Sequence, residues 1–137
     1  MTEETSEIRL PSRIEAIDDA ANAAAEVARR AGFDEEALFG IDMAVREAVT
    51  NAVLHGNEQD ETKHVDIRFT NSRQHLEIKV RDRGKGFDPD DVPDPTAPLN
   101  ILKTSGRGLL FMRAYMDEIE YARHEQGGTV VRMLKRR

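Results

Sequence analysis

The chain has 137 residues and a formal net charge of -6, from 20 basic and 26 acidic side chains. One domain with a core of its own fits that length, and the lack of cysteine excludes a disulfide framework, a thiolate metal site and a cysteine nucleophile. The acidic balance argues against a nucleic-acid-binding surface, no apolar run reaches membrane-spanning length, and the acidic residues 1–7 are unlike a signal or transit peptide, so a soluble cytoplasmic protein is expected.

In chain order, Ile8 and Leu10 predict a short strand closed by Pro11. Residues 14–31 predict an alanine-rich helix, with Ile14, Ile17, Ala21, Ala24, Ala25 and Ala28 at helical spacing and Gly32 as its stop. Asp34 stands where it can cap a second helix, with Glu35 and Glu36 in the first turn and Phe33 and Leu38 at the two positions of a hydrophobic staple. Its core stripe is Leu38, Ile41, Val45, Ala48, Val49, Ala52 and Val53, and it is expected to run to about His55 or Gly56. The period then changes to two. Val65, Ile67 and Phe69, followed by Leu76, Ile78 and Val80, predict a hairpin joined at residues 71–73. Residues 84–105 read as a long irregular loop containing Gly84, Gly86 and four prolines, a length that in compact domains usually marks function. A third helix is expected from near Arg107 through Met116, then strands at 119–123 and 129–134 about a turn at Gly127 and Gly128. This segregation of elements predicts a single α+β domain over 1–137, a mostly antiparallel sheet with helices on one face.

Three sets of residues can carry chemistry. Glu47, Asn51 and His55 are spaced i, i+4, i+8 and form one stripe beside the apolar one, where a cavity between helix and sheet would meet them. A carboxylate at Glu47 can act as a general base, and the side-chain oxygen of Asn51 suits a hard cation such as Mg2+. Taken alone, each reads more simply as a solvated helix face, and His55 as a helix-end residue meeting the last carbonyls. Asp82 continues the inward register of Leu76, Ile78 and Val80, so it needs a partner: an arginine, a backbone N–H or a ligand donor. Gly84 and Gly86 follow at once and allow a backbone to approach a flat or bulky group, although a strand end with a glycine-rich turn has the same pattern. Ser105-Gly106-Arg107-Gly108-Leu109 precedes the third apolar-periodic segment; free N–H groups at a helix start can hold phosphate, while the plainer reading is a flexible helix start. That run lacks the ending of a P-loop, and no strand directly precedes it as a dinucleotide fingerprint requires. The basic end, Arg132, Lys135, Arg136 and Arg137, reads as solubilising charge on a strand or as a patch for a partner.

Together and in this order, the three sets resemble the GHKL ATPase superfamily. Glu47-Ala-Val-Thr-Asn51-Ala-Val-Leu-His55-Gly56 is similar to its N box, Asp82-x-Gly84-x-Gly86 to its first glycine box, and Gly106-x-Gly108 to its second. The short chain and the Glu-Ala-Val-x-Asn-Ala run most resemble the bacterial anti-sigma-factor serine/threonine kinases of the RsbW and SpoIIAB type. The resemblance implies a two-layer sandwich that holds ATP between helices and sheet, under a lid at about residues 88–104. It implies that Asp82 accepts a hydrogen bond from the adenine amino group and that Gly84 and Gly86 lie beside the base. Gly106 and Gly108 would hold phosphate. Lys103, beside the second box, is a further phosphate candidate; Arg107, between the glycines, either meets phosphate or points outward, and Lys85 reads as outward. Asn51 would ligate Mg2+ and Glu47 would activate the attacking hydroxyl.

On the same resemblance, the chain would phosphorylate a serine of an anti-anti-sigma (STAS-type) protein, sequester a sigma factor and form a homodimer, with no direct contact to nucleic acid or membrane. The alternatives are an ATP-binding anti-sigma or adaptor module without kinase activity, and a GHKL ATPase with another phosphoacceptor. A polyanionic ligand is compatible with the net charge, because Mg2+, backbone N–H groups and a helix dipole can supply a local positive field.

Overall fold

The computed structural model describes residues 3–84 and 115–137. Five strands form one antiparallel sheet: β1 (Glu4–Pro11), β2 (His64–Asn71), β3 (His75–Arg81), β4 (Glu118–Arg123) and β5 (Thr129–Arg136), in the spatial order β1-β2-β3-β5-β4. Two helices, α1 (Glu15–Ala31) and α2 (Glu35–Asn51), pack on one face, and α2 continues into a π-helical turn, Ala52–Gly56. The architecture is the expected α+β sandwich. The expected lid at 88–104 lies outside the described residues, as does the third helix except for its end at Tyr115 and Met116.

Local chemistry accounts for the helices. Gly32 ends α1 with φ +89°, a left-handed conformation that glycine adopts without strain, and its N–H donates to Arg29 O at 3.0 Å. The carboxylate of Asp34 caps α2 by accepting from Ala37 N at 2.9 Å. The buried face of α1 is Ala16, Ala20, Ala21, Ala24 and Ala28. Methyl side chains let α2 approach closely, with Ala44 and Ala48 buried on its side of the contact. Ile14, expected on this stripe, precedes the helix and is 58% exposed, and Ala16 and Ala20 take its place.

Strand periodicity does the rest. Val65, Ile67, Phe69, Leu76, Ile78, Val80, Val131 and Met133 all face inward against Ile41, Val45, Val49 and Val53. Each such side chain contributes about 1.5–3 kcal/mol by leaving water. β1 begins before Ile8 because it pairs along the full length of β2, from Glu4 opposite Asn71 to Pro11 opposite His64. The opposite face of the sheet is charged and tiled with ion pairs, among them Arg9–Asp66 at 2.9 Å, Arg83–Asp66 and Arg136–Glu118 at 2.7 Å. The basic end of the chain is consumed internally. Arg132 meets Glu77 at 2.6 Å, Lys135 donates to Tyr115 O at 2.9 Å, and Arg137 stacks over the Phe33 ring at 5.5 Å.

Where the chain re-enters the described region, Tyr115 seats in a notch of α2. A side chain at Gly40 would collide with the Tyr115 ring, which also meets Phe39 edge-on at 5.6 Å. Tyr115 is thereby fixed to the same helix that carries Glu47 and Asn51.

Candidate active site

Glu47 and Asn51 lie one turn apart on α2, and the Asn51 side chain favours the charged form of the Glu47 carboxyl. Asn51 is buried and Glu47 largely so. Burial pushes the Glu47 carboxyl up from 4.5 to about 7, against the opposing pull of the Asn51 side chain. A carboxyl that titrates near neutrality can both take and release a proton at working pH, which is what a general base requires.

The helix does not carry the stripe on to His55. In the π turn, Asn57 N donates to Ala52 O at 2.8 Å, an i to i-5 bond that adds about one residue to the turn. The face that a continuous α-helix would give to His55 therefore goes to Gly56. His55 is exposed, and Gly56 is buried against Asp82. A methyl group at Gly56 would collide with the Asp82 carboxyl group.

Asp82 follows the last residue of β3 and is 1% exposed. Its N–H donates to Thr129 O at 3.1 Å, and its Oδ2 accepts from Thr129 N at 3.2 Å. Its other oxygen, Oδ1, is buried with no hydrogen-bond partner among the described residues. Burial pushes this carboxyl up as well, opposed by the Thr129 N–H and, less strongly, by the backbone N–H of Gly84. A buried acceptor without a donor is costly, and it fits a ligand that brings an N–H or amino group. Glycines close the surroundings. A side chain at Gly84 would strike the Gly56 carbonyl, and one at Gly128 would strike the Asp82 carbonyl, where φ is already +89°.

The structure thus brings Asp82, Gly84 and Gly56 together, and pairs Glu47 with Asn51 further back on the same continuous helix. Gly86, Lys103, Gly106, Arg107 and Gly108 lie outside the described residues, as does Lys85. Asn57 carries no signal in the sequence pattern; Gly56 stands there only as the end of the N-box run, Gly128 as a turn residue and Thr129 as the start of a strand, none of them as part of the site. The adjacent glycines 127 and 128 signal a turn, and only the sheet register shows that the turn abuts Asp82. Among the described residues, no group of three or more His, Asp or Glu side chains could hold a metal ion. Asn51 offers one hard oxygen ligand, which suits a Mg2+ ion held chiefly by phosphate oxygens.

Residues 10–135 match the family model described as the histidine kinase-like ATPase domain. The chain belongs to that family. It is 32% identical to the serine-protein kinase RsbW of Oceanobacillus iheyensis, over 94% of this chain and 84% of that protein. Identity is also 32% to the Bacillus subtilis protein of the same name, over 94% and 83%. The anti-sigma F factor of Clostridium perfringens is 36% identical over 74% of each chain. Among solved structures, the RsbU and RsbW domains of a Mycobacterium tuberculosis protein superpose with a TM-score of 0.68 at 21% identity, covering 97% of this chain and 32% of that one. That likeness is one of fold. Among the described residues, no helix is long and apolar enough to cross a membrane.

Proposed function

We propose that this chain is an ATP-dependent protein serine kinase that also acts as an anti-sigma factor. It transfers the γ-phosphoryl group of ATP to a serine of an anti-anti-sigma partner of STAS type, and it separately sequesters a sigma factor in the cytoplasm. The observation that carries the nucleotide half is the buried Oδ1 of Asp82, without a hydrogen-bond partner among the described residues, on a carboxyl group packed between Gly56 and Gly128. The adenine amino group is the donor that this oxygen lacks. The names of the relatives support the kinase and anti-sigma half.

In this reading Gly84 and Gly86 border the base, and Gly106 and Gly108, with Lys103 and Arg107, meet the phosphates. Asn51 would hold Mg2+, which when bound would neutralise phosphate charge. Glu47 accepts the proton of the attacking serine hydroxyl as the new oxygen–phosphorus bond forms. The bond from the γ-phosphorus to its bridging oxygen breaks, and the electron pair leaves with ADP. Phosphoryl transfer needs little covalent help from the protein, so positioning and electrostatics dominate. The partner serine is what distinguishes this outcome from hydrolysis.

The test is incubation with labelled ATP and proteins captured by the chain, followed by mass spectrometry of phosphosites. Glu47→Ala should retain nucleotide binding and lose transfer. Undiminished phosphorylation by that variant would remove Glu47 from the mechanism.

A further inference from the structure

Behind Asp82 lies a buried polar network that the proposed chemistry does not use. Asn57, directly after the π turn, is 1% exposed, as is Ser12 at the end of β1. Asn57 Oδ1 accepts from Arg83 N at 2.8 Å. Its Nδ2 donates to Ser12 Oγ at 2.7 Å and lies 3.1 Å from His64 O and 3.3 Å from Lys63 O. Ser12 Oγ in turn donates to Lys63 O at 2.6 Å. Chemistry fixes the orientation of the amide. Arg83 N–H can only donate and the two carbonyls can only accept, so a flipped side chain would face like against like.

The Arg83 peptide is the one that follows Asp82. Asn57 therefore holds the turn that carries the carboxylate, and anchors it to β1 and β2, elements remote in sequence. Two further contacts close the same joint. Gly56 lies against the Asp82 carboxyl, and Gly84 lies against the Gly56 carbonyl, with the Asn57 Cα 3.0 Å from where a Gly84 side chain would begin. The π turn and the Asp82–Gly84 turn are thus joined at three consecutive residues, and one buried side-chain amide supplies the only directional bonds among these three contacts.

We propose that Asn57 is a positioning residue for purine selection: through the N–H of Arg83 it sets the place of the Asp82 carboxylate, and hence discrimination for the 6-amino group. This rests on the reading of Asp82 as the adenine acceptor. The expected signature is selective. Loss of Asn57 misaligns the carboxylate, so it weakens ATP and spares a nucleotide that never used that bond.

The experiment compares the dissociation constants of ATP and purine riboside triphosphate, the same nucleotide without the 6-amino group, with thermal melts in parallel. The intact protein should prefer ATP by about tenfold or more, since a hydrogen bond to a charged acceptor is worth roughly that factor. Asp82→Asn should erase the preference, and Asn57→Ala should reduce it to about two- to threefold. Parallel loss of both nucleotides in Asn57→Ala, or an unchanged preference, overturns the positioning role. A preference that survives Asp82→Asn removes the adenine reading and the proposal with it. For an Asn57→Ala protein that does not fold, Ser12→Ala decides. It removes the shortest anchor of Asn57 and leaves the Arg83 bond, so the preference should fall by about twofold. An unchanged preference with a lowered melting temperature overturns the proposal.

Discussion

Replacing Glu47 with glutamine should make the ligand-free protein more stable at alkaline pH while abolishing transfer. Burial raises the Glu47 carboxyl from 4.5 to about 7, so the fold favours its protonated form. The stability this confers is fully present below about pH 4.5 and is lost as pH rises through about 7, where the folded protein must hold a desolvated carboxylate. At roughly 1.4 kcal/mol per pH unit, the full shift sets a ceiling of about 3.5 kcal/mol. Partial exposure of Glu47 and solvent screening reduce that to about 1–2 kcal/mol. Glutamine keeps the size and the acceptor for Asn51 and has no charge to desolvate. Urea titrations of the magnesium-free apoprotein should therefore show the variant and the parent converging toward pH 5. By pH 8 the variant midpoint should lie higher by about 0.5–1 M, for a urea dependence of about 2 kcal/mol per molar. A difference that is independent of pH, or a variant less stable at pH 8, would refute the desolvation argument. The same substitution removes the base, which is the usual exchange of stability for activity at a functional site.

Three further outcomes follow from the same geometry. In the parent protein the transfer rate should rise with pH through about 7, as Glu47 loses its proton, and the residual rate of Glu47→Gln should lack that inflection; single-turnover kinetics across pH 6–8.5 would check it. Asp82→Asn should weaken ATP by about tenfold or more in calorimetry, while leaving the melting temperature of the apoprotein unchanged or raised, because burial already disfavours the charged carboxyl. Gly128→Ala places a methyl on the Asp82 carbonyl at a positive φ, and should cost about 1–3 kcal/mol in denaturation.

Much of this was legible in the sequence because it depends on short-range periodicity. The inward register of Leu76, Ile78 and Val80 delivers Asp82 to the core side, and burial of 99% of its surface follows from the same alternation. The cap at Asp34 and the stop at Gly32 are one-residue signals with a local physical cause. What escaped was non-local. Asn57 carries no signal in the local pattern, and its role emerges only where β1, β2 and the Asp82 turn converge on it. Gly128 reads as a turn residue until the β3–β5 pairing places it on the Asp82 carbonyl. The buried stripe of α1 begins at Ala16 and not at Ile14, because Ile14 has helical spacing but lies ahead of the first helical turn.

At the wider turn that ends α2, local pattern and structure diverge within the candidate site, and the difference can be tested directly. Had α2 continued as an α-helix, His55 would follow Asn51 on the same face, four residues on, and Gly56 would rotate about 100° away from it. The i to i-5 bond from Asn57 to Ala52 reverses those roles. An α-helical geometry makes His55→Ala damaging and Gly56→Ala mild, since alanine is the better helix former. The π turn demands the opposite. His55→Ala should leave ATP affinity within about twofold, because the ring is in solvent. Gly56→Ala should drive a methyl into the Asp82 carboxyl, displace the adenine acceptor and weaken ATP by about tenfold or more, with a loss of about 1–3 kcal/mol in stability. Measuring the two variants side by side separates the geometries. A damaging His55→Ala together with a benign Gly56→Ala would mean that the helix runs on without the extra residue, and that Gly56 does not form the floor of the Asp82 site.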